Sequence, residues 1–530
     1  MNRTLLLTGL LFLLMACSFS GMTAPSSTDP LPDAVYVIVT PDDAATATPF
    51  QPGVATTVPT LAPLLPTLTF TPEPPTFTPP PPTVPAPPIT PLPTDTAAPV
   101  QVGGERTQYL ITAQMDYNNH IVNVSEAVLY TNKSADVLPS LLLAVNPMLW
   151  TNAFHLYTLS VNDQPANYAL SGQYLTITLP TPLQPGQAVK LGIGYSLYLP
   201  YSNGKFENFG YTVRQTTLID WYPFVVPYLP GQGWVLPEPY PYGENLVYPL
   251  ADFRVSLSFA DPANAPVVAA SAPAAFENGT LLYTFTNARN FSFSASHDFL
   301  MSSADANGVT IYNYYFPEDA AAAAMVQEMT RLAVNTYSSA FGPYPHSSLT
   351  VVETDLNDGL ESDGLYFLSR NFYREYAGGV QNNLSVIAVH ETAHQWWYGS
   401  VANNQATEPW LDEALSTYSE HIFFETNYPG LVNWWWNFRV NSKNPYGAVD
   451  MRLYDTATFH QYVSGTYFQG ANFFDALRLR IGDEALFAFF KDYYARQRGQ
   501  IASAGDFFAI LDLHAPVDYS DLLATYFYYR

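Results

Sequence analysis

The pattern of hydrophobic and polar positions changes once along the part of the chain that follows residue 104. Over residues 105–305, short apolar runs alternate with polar positions, and turn-forming pairs such as Pro185-Gly186 and Asn278-Gly279 separate them. An alternation of period two is typical of half-buried strands, and such pairs connect them. We therefore predict an all-β domain, a sandwich or an open saddle, over residues 105–305. The clearest strand candidates are residues 109–113, 175–179, 189–195 and 253–259.

Residues 306–530 show the longer apolar period of helices. Pro317-Glu318-Asp319 predicts the first turn of an alanine-rich helix that runs to about residue 339, because proline and acidic side chains favour helix N-termini. An apolar strand is predicted at residues 349–352. The length of this part suits one domain of ordinary size. The sequence thus predicts a multidomain α+β protein, in which a β domain precedes a mainly helical domain.

The amino terminus has the pattern of an export signal. Arg3 precedes an apolar run at residues 5–14, which is too short to span a bilayer. The run ends in Leu14-Met15-Ala16-Cys17, which resembles the lipobox of bacterial lipoproteins, and Cys17 is the only cysteine of the chain. We predict a lipoprotein signal peptide over residues 1–17 and a lipid on Cys17 that anchors the protein to a bacterial envelope membrane, outside the cytoplasm. A simple cleavable signal is the alternative.

Residues 18–104 have a composition that disfavours folding. They contain no lysine or arginine and nearly half of the 46 prolines of the chain. Alternating threonine and proline cannot form helix or sheet hydrogen bonds, so we predict a disordered, extended linker that holds the folded part away from the membrane. A role as a peptide ligand is the alternative. The net charge of −25 argues against binding to nucleic acid or anionic lipid through charge.

The candidate chemistry is concentrated in His390-Glu391-Thr392-Ala393-His394. Two histidines four residues apart share one face of a helix, so both imidazoles can reach one metal ion. Glu391 points about 100° round the helix and can reach a water molecule at that ion more easily than the ion itself. Apolar residues at 386–389 and Gln395-Trp396-Trp397 predict a long helix around the motif. Two core histidines flanking a surface glutamate are the alternative interpretation, but the pattern rarely arises by chance.

Glu413 supplies a third candidate ligand. It follows His394 after eighteen intervening residues and lies at the start of a second predicted helix, at residues 410–418. Two histidines and one carboxylate with an open fourth position are typical of catalytic zinc, whereas structural zinc sites are closed by four protein ligands. The sequence therefore predicts one Zn²⁺ per chain, bound by His390, His394 and Glu413. The other histidines, at positions 120, 155, 297, 346, 421, 460 and 514, show no ligand spacing.

These motifs resemble the M1 family of zinc metallopeptidases, the gluzincins that include aminopeptidase N and leukotriene A4 hydrolase. Residues 390–397 are similar to the family's HExxHQW run, and residues 410–418 are similar to its WLNEGFAxY segment with the same spacing. The resemblance covers roughly residues 105–530. It implies that residues 306–530 form a thermolysin-like zinc-peptidase domain behind a β domain.

Three shorter segments extend the resemblance. Residues 359–365 are similar to the exopeptidase loop of the family, most closely to the form Gly-Met-Glu-Tyr-Pro-Gly-Leu. Residues 467–471 resemble the YxKG motif that carries a catalytic tyrosine, and residues 341–345 also match the family. Larger M1 enzymes have a further helical repeat domain after the peptidase domain. Because the chain stops at Arg530, we expect no such domain and a more open site.

The resemblance implies a role for each site residue. Glu391 would be the general base, and Tyr467 would donate a hydrogen bond to the oxyanion. Tyr462 and Tyr454 are alternative candidates for the tyrosine. Glu361, with Gly359 in the same loop, would bind the free α-amine of a peptide. The alternatives for this loop are a solvated acidic turn or a calcium site.

The sequence departs from the family at four positions. Leu360 and Ser362 replace methionine and asparagine in the amine-binding loop, and Gln469 replaces the lysine of YxKG. These changes bear on aminopeptidase specificity more than on the zinc chemistry. Asp412 replaces an asparagine and is either a hydrogen-bond partner of a zinc-bound imidazole or a charge at a helix N-terminus. The three adjacent tryptophans at residues 434–436 are compatible with a substrate pocket or with the core, and we assign them to neither.

The predicted function is that of a cell-surface zinc aminopeptidase, with peptides as substrates and no nucleic-acid partner. One alternative is a zinc endopeptidase, or another zinc hydrolase, that does not require a free amine. The other is a catalytically idle surface module that uses its β domain for binding.

Overall fold

The computed structural model of the protein describes residues 106–202, 208–229 and 231–529. The predicted signal peptide with Cys17 and the predicted linker over residues 18–104 lie outside this part of the chain. The described residues form a β-rich first half and a mainly helical second half, which confirms the predicted α+β class. None of the described helices combines the length and the apolar character that a membrane span requires.

The first half is built from eighteen strands, and most of them belong to three sheets. They are β1 (Thr107–Asp116), β2 (Ile121–Thr131), β3 (Leu138–Ala144), β4 (Phe154–Val161), β5 (Gln164–Pro165), β6 (Asn167–Ser171), β7 (Tyr174–Leu183), β8 (Ala188–Tyr198), β9 (Phe209–Tyr211), β10 (Thr216–Leu218), β11 (Phe224–Val225), β12 (Tyr228–Leu229), β13 (Gly233–Trp234), β14 (Ala251–Phe259), β15 (Val267–Ala270), β16 (Ala274–Glu277), β17 (Thr280–Ala288) and β18 (Phe293–Ser296).

An eight-stranded sheet in the order β16-β17-β14-β1-β2-β8-β4-β5 is the scaffold of this half. Its strands pair antiparallel except for β1 and β14, which are parallel. Along β1, Tyr109, Ile111, Ala113 and Met115 are buried, as their alternation predicted. These side chains share one hydrophobic core with those of a four-stranded sheet, β11-β3-β7-β6. The four strand candidates of the sequence are confirmed in β1, β7, β8 and β14.

A five-stranded sheet opens the second half, in the order β19-β20-β21-β23-β22. The predicted boundary at residues 305 and 306 falls inside its first strand. The sequence pattern did not mark the start of this sheet, because β19 and β20 form an antiparallel hairpin with the same period as the first half. The strands of the second half are β19 (Leu300–Ala306), β20 (Val309–Tyr315), β21 (Ser348–Thr354), β22 (Leu360–Ser362), β23 (Leu365–Ser369), β24 (Ala402–Asn403) and β25 (Ile501–Ala502).

Ten α-helices, two short π-helical turns and four short 3₁₀ helices complete the described part of the second half. The π-helical turn Ser464–Gln469 joins two α-helices, whereas Trp436–Val440 follows an α-helix and leads into a 3₁₀ turn; π-helical turns often lie near functional sites. The helices are α1 (Ala320–Ala340), α2 (Arg370–Arg374), α3 (Asn383–Ala393), α4 (Trp410–Asn427), α5 (Val432–Trp435), α6 (Phe459–Val463), α7 (Gly470–Ile481), α8 (Asp483–Gln497), α9 (Ala504–His514) and α10 (Ser520–Tyr526).

Helix α3 is shorter than the sequence predicted. It begins after Asn382, whose side chain accepts a hydrogen bond from the Ser385 amide, and it ends at Ala393. The prediction that the helix includes Gln395-Trp396-Trp397 is wrong. Tertiary contacts explain the early end, because the Trp396 indole donates to the Gly342 carbonyl and the Gln395 amide binds the neighbouring β22–β23 hairpin.

Candidate metal and peptide site

Helices α3 and α4 bring the three predicted metal ligands together. The Nε2 atoms of His390 and His394 are 3.0 Å apart, and Glu413 Oε2 is 3.2 Å and 3.4 Å from them. All three side chains are buried. Donors that bind one tetrahedral zinc ion at about 2.0–2.1 Å lie roughly 3.3–3.4 Å from one another. The spacing of the three atoms therefore suits zinc.

The outer nitrogens of both imidazoles show which atoms face the centre. His390 Nδ1 is 2.7 Å from Glu420 Oε1, and His394 Nδ1 is 2.6 Å from Asp412 Oδ1. A carboxylate accepts hydrogen bonds, so each Nδ1 carries the proton and each Nε2 presents a lone pair. Two lone pairs and a carboxylate oxygen then face one another within 3.4 Å. These three electron-rich atoms repel one another unless a cation lies between them.

The charge around His394 leads to the same conclusion. Burial lowers the pKa of the His394 imidazole, but Asp412, Glu361 and Glu413 together raise that pKa well above its usual value. Without a metal ion, the surrounding carboxylates thus draw a proton to the imidazole. A divalent cation supplies the positive charge instead and leaves the histidine free to coordinate it.

Asp412 lies where one of its two predicted roles requires. Its Oδ1 accepts from His394 Nδ1, and its Oδ2 accepts from Gln405 Nε2 at 2.8 Å. Because it also stands in the first turn of α4, the second predicted role is compatible with the same position. The hydrogen bonds fix the plane of the His394 ring.

Glu420 is the corresponding partner of His390, and the sequence analysis missed it. It follows Glu413 by seven residues, which places both carboxylates on one face of α4, and this spacing was the available signal. Arg439, on a π-helical turn, donates from Nη2 to Glu420 Oε1 at 2.8 Å and from Nε to Oε2 at 2.9 Å. The Trp435 indole donates to Glu420 Oε2, so one of the three adjacent tryptophans supports the metal centre from the core.

Glu391 and the β22 strand face each other across a narrow gap. Oxygen and nitrogen atoms of Glu361, Glu391 and His394 lie within 4.8 Å of one another. A Cβ atom on Gly359 would be 2.2 Å from Glu391 Oε1, so only glycine allows the backbone to pass this close to the carboxylate. Burial raises the pKa of Glu391 well above its usual value, although His394 lowers it. A carboxyl group in this state can both accept and release a proton.

Glu361 is buried at the edge of the five-stranded sheet, so the predicted alternative of a solvated acidic turn is wrong for this residue. Its Oε1 accepts from Gln405 Nε2 at 3.2 Å. Burial raises the pKa of the carboxyl to about 8, His394 lowers it, and Asp412 and Glu413 add to the rise. Among the described residues, the groups with metal-ligand spacing involve Glu361 only together with Glu391 and His394, which gives the calcium alternative no support.

Glu244 joins the site from the first half of the molecule, and no sequence pattern pointed to it. Its side chain is buried, and burial raises its pKa well above the usual value, with further increases from Glu361, Glu413 and Asp412. The charges of Glu361, Glu413 and Asp412 therefore act on this carboxyl. The adjacent Gly243 has a φ of +70°, and a Cβ there would be 2.6 Å from Leu453 Cδ1, so the loop is packed tightly against the second half.

Tyr467 is the predicted tyrosine that lies beside the metal ligands. It is buried on the π-helical turn Ser464–Gln469, and its ring is stacked on His390 with centroids 5.9 Å apart. The ring of Tyr462 packs against Tyr467 from the side, whereas the Tyr454 hydroxyl donates to the Glu238 carbonyl outside the centre. A Cβ on Gly470 would be 2.3 Å from Ala414 Cβ, so α7 is held directly against the residue that follows Glu413.

Comparisons with known proteins agree with this geometry. Residues 322–526 match the sequence profile described as the peptidase family M1 domain. Aminopeptidase M1-C of Oryza sativa subsp. japonica is 23% identical over 215 residues, which are 37% of this chain and 24% of the rice protein. The match therefore spans about a quarter of that relative.

Solved structures extend the similarity to both halves. A mutant M1 zinc metallopeptidase from Deinococcus radiodurans has a TM-score of 0.58 at 18% identity, covering 81% of this chain and 96% of that one. The same mutant bound to a Tyr-Ser-Ala substrate has a TM-score of 0.57 at 18% identity, with 80% and 94% covered. A two-domain M1 zinc metallopeptidase bound to L-arginine gives the same values. At this identity, the similarity shows a shared fold.

Proposed function

Because residues 322–526 of this zinc metallopeptidase form a peptidase family M1 domain, we propose that the protein is an aminopeptidase that removes the N-terminal residue of peptides. The observation that carries the proposal is the buried carboxylate of Glu361 beside Glu391 and His394. An ammonium group bound to Glu361 would place the first peptide bond at the metal centre. Bonds further along the peptide would lie beyond it.

Zinc bound by His390, His394 and Glu413 would polarise the peptide carbonyl and lower the pKa of a bound water molecule. Glu391 would take the proton of that water and pass it to the leaving amine, a task that suits its raised pKa. Tyr467 would donate a hydrogen bond to the carbonyl oxygen as negative charge builds there. The stacking of Tyr467 on His390 supports this role.

Two carboxyl groups support recognition of the amine. Glu361 comes from the β22 edge strand and Glu244 from the first half, and both are buried. Neither Glu244 Oε1 nor Glu361 Oε2 has a hydrogen-bond partner among the described residues. A buried carboxylate oxygen without a partner is costly, and a substrate ammonium would satisfy it and lower the pKa of the carboxyl. The complexes of similar proteins with a peptide and an amino acid agree with such a substrate.

The proposed location is the outer face of a bacterial envelope membrane, with Cys17 as the lipid anchor. Support comes from the apolar run at residues 5–14 and the lipobox-like Leu14-Met15-Ala16-Cys17. Replacing Cys17 with serine should release the protein from the membrane fraction of the producing cell. Retention of the variant in that fraction would contradict the anchor.

The aminopeptidase proposal is tested with zinc-loaded wild type and Glu391→Gln on matched peptides with free and acetylated N-termini. We expect turnover of the free peptides only, and a loss of about 10²–10⁴-fold in the variant, the range for general acid–base catalysis. Cleavage of acetylated peptides by the wild type would instead indicate an endopeptidase. An inactive wild type would indicate a binding module.

A further inference from the structure

A segment of the first half, Arg289-Asn290-Phe291-Ser292, contacts both sides of the site, and we call it the 289–292 clamp. Arg289 is only 2% exposed. Its Nε donates to the Gly399 carbonyl at 3.1 Å, and its Nη2 donates to the Ser400 carbonyl at 3.0 Å. Both carbonyls lie in the turn that follows the metal-binding His394. The guanidinium thus fixes the end of the HExxH segment from the other half of the molecule.

The remaining donors of Arg289 tie the same turn to two further segments. Nη2 also donates to the Gln500 carbonyl at 2.8 Å, and Nη1 donates to the Tyr248 carbonyl at 3.2 Å. Burial lowers the pKa of this guanidinium to about 10. A buried cation bound to four carbonyls is sensitive to the position of each of them. The turn after His394 therefore has little freedom to move relative to the first half.

The other side of the clamp binds the residues that follow Glu361. Asn290 Oδ1 accepts from Ser362 Oγ at 2.9 Å and from the Asp363 amide at 3.0 Å. The Arg289 amide donates to Asp363 Oδ2 at 2.7 Å. Ser362 stands where the M1 loop usually has asparagine, and Asn290 supplies a side-chain amide at this point from the first half.

Gln395 links the segment around His394 to the residues that follow Glu361. Its Oε1 accepts from the Gly364 amide, and its Nε2 donates to the Ser362 carbonyl, both at 3.0 Å. Gly364 has a φ of +72°, and a Cβ there would be 2.4 Å from the Ser271 carbonyl oxygen. The amine-binding hairpin is thus held by the first half and by the residue next to His394 at once.

We infer that Arg289 and Asn290 are positioning residues that set the distance between Glu361 and the metal ligands and thereby restrict cleavage to the first peptide bond. The inference rests on the proposed aminopeptidase function. Neither side chain touches the metal ligands, and each acts through a segment next to one. A displacement of about 1 Å in such a site can reduce the rate on the order of a hundredfold.

The test compares zinc-loaded Asn290→Ala and Arg289→Met with wild type. Arg214→Met is the matched control, because Arg214 Nη1 also joins the two halves, through Glu318 Oε1 at 2.7 Å, without contacting the amine-binding hairpin. The measurements are KM and kcat on free and acetylated peptides, the length of the first product by mass spectrometry, the zinc content and the melting temperature.

We expect both clamp variants to keep one zinc ion and to lose selectivity for the free amine on the order of tenfold or more, mainly through KM. Products of two residues should appear in Asn290→Ala. The double variant Asn290→Ser/Ser362→Asn exchanges the two side chains, so the amide group now comes from position 362. It should recover part of the selectivity. Arg214→Met should change the melting temperature only.

Unchanged selectivity and product length in folded, zinc-loaded Asn290→Ala and Arg289→Met would overturn the inference. If either variant fails to fold, Asn290→Ser and Arg289→Lys make smaller changes at the same contacts, and the same outcomes decide the question. A wild type that does not distinguish free from acetylated peptides would refute the proposed function. A selective wild type with equally selective clamp variants would refute the clamp alone.

Discussion

On the metal side of the site, the three candidate ligands are close in sequence: His390 lies in α3, His394 directly follows α3, and Glu413 lies in α4. On the proposed amine-binding side, the groups come from β22, from the loop around Gln405 and from Glu244 in the first half of the molecule. The metal side therefore depends on helix geometry within one domain. The amine-binding side depends on how the two halves pack. A change at the contact between halves should thus alter selectivity before it alters zinc binding.

The largest effect is expected where the two sides touch, at Gly359. In Gly359→Ala the new methyl group would lie 2.2 Å from Glu391 Oε1 and 2.6 Å from Ile387 Cγ2. Either the general base or the amine-binding loop must move, so kcat/KM on free peptides should fall about a hundredfold while the zinc content stays unchanged.

Gly430→Ala is the control for Gly359→Ala, because a Cβ at Gly430 meets no atom within 4 Å. It should leave kcat/KM unchanged. Full activity of Gly359→Ala would show that the loop and Glu391 are not as tightly packed as the structure indicates.

The metal side is tested by Arg439→Met, which removes the hydrogen bonds of the guanidinium to Glu420 while leaving the ligands in place. Glu420 would then be a buried carboxylate with fewer partners and would orient His390 less well. We expect zinc affinity to fall about 10–100-fold, measured by competition with a chelator, with selectivity for the free amine retained.

The control for this change is Arg478→Met. Arg478 Nη1 pairs with Glu425 Oε2 at 2.8 Å near the other end of α4, away from the ligands. Equal zinc affinity in Arg439→Met and the control would contradict the role assigned to Glu420.

Glu244→Gln tests the amine-binding side without touching the metal ligands. It keeps the size of the side chain and removes its charge, so KM for free peptides should rise about tenfold, and acetylated peptides should be unaffected. Glu238→Gln, a more exposed position of the same loop, is the control. An unchanged KM, or a loss of zinc, would remove Glu244 from the amine-binding side.

The two sides also differ in what the sequence could predict. His390 and His394 follow from helix periodicity, because residues four apart on one helix must share a face, and Glu413 follows from its place at the start of the next predicted helix. The end of α3 at Ala393 could not be predicted, because the partners of Gln395 and Trp396 are distant in sequence. Glu244 is likewise brought to the site only by packing between the halves.

The smallest effect is expected from a pH change at the contact between the halves, and it concerns stability rather than catalysis. Asp220 is buried in the first half, and Tyr248 donates to both of its carboxylate oxygens at 2.9 Å. Burial raises the pKa of Asp220 from 3.8 to about 7, although the Tyr248 hydroxyl lowers it. Tyr248 also offers its carbonyl to Arg289, so Asp220 is connected to the clamp.

The direction of the pH effect on stability follows from proton binding at Asp220. Between pH 3.8 and about 7, the folded state binds more protons at Asp220 than the unfolded state does, so the free energy of unfolding falls as pH rises through this range. Above pH 7 the full cost of the buried charge is present. Asp220→Asn removes that charge, and asparagine tolerates the φ of 51° at this position. The melting temperature of the variant, relative to wild type, should therefore increase from pH 5 to pH 8, while Asp261→Asn at an exposed site shows no such trend. A difference that is constant with pH would mean that Asp220 is ionised in the folded state throughout, and the contact between the halves would then be independent of pH at this residue.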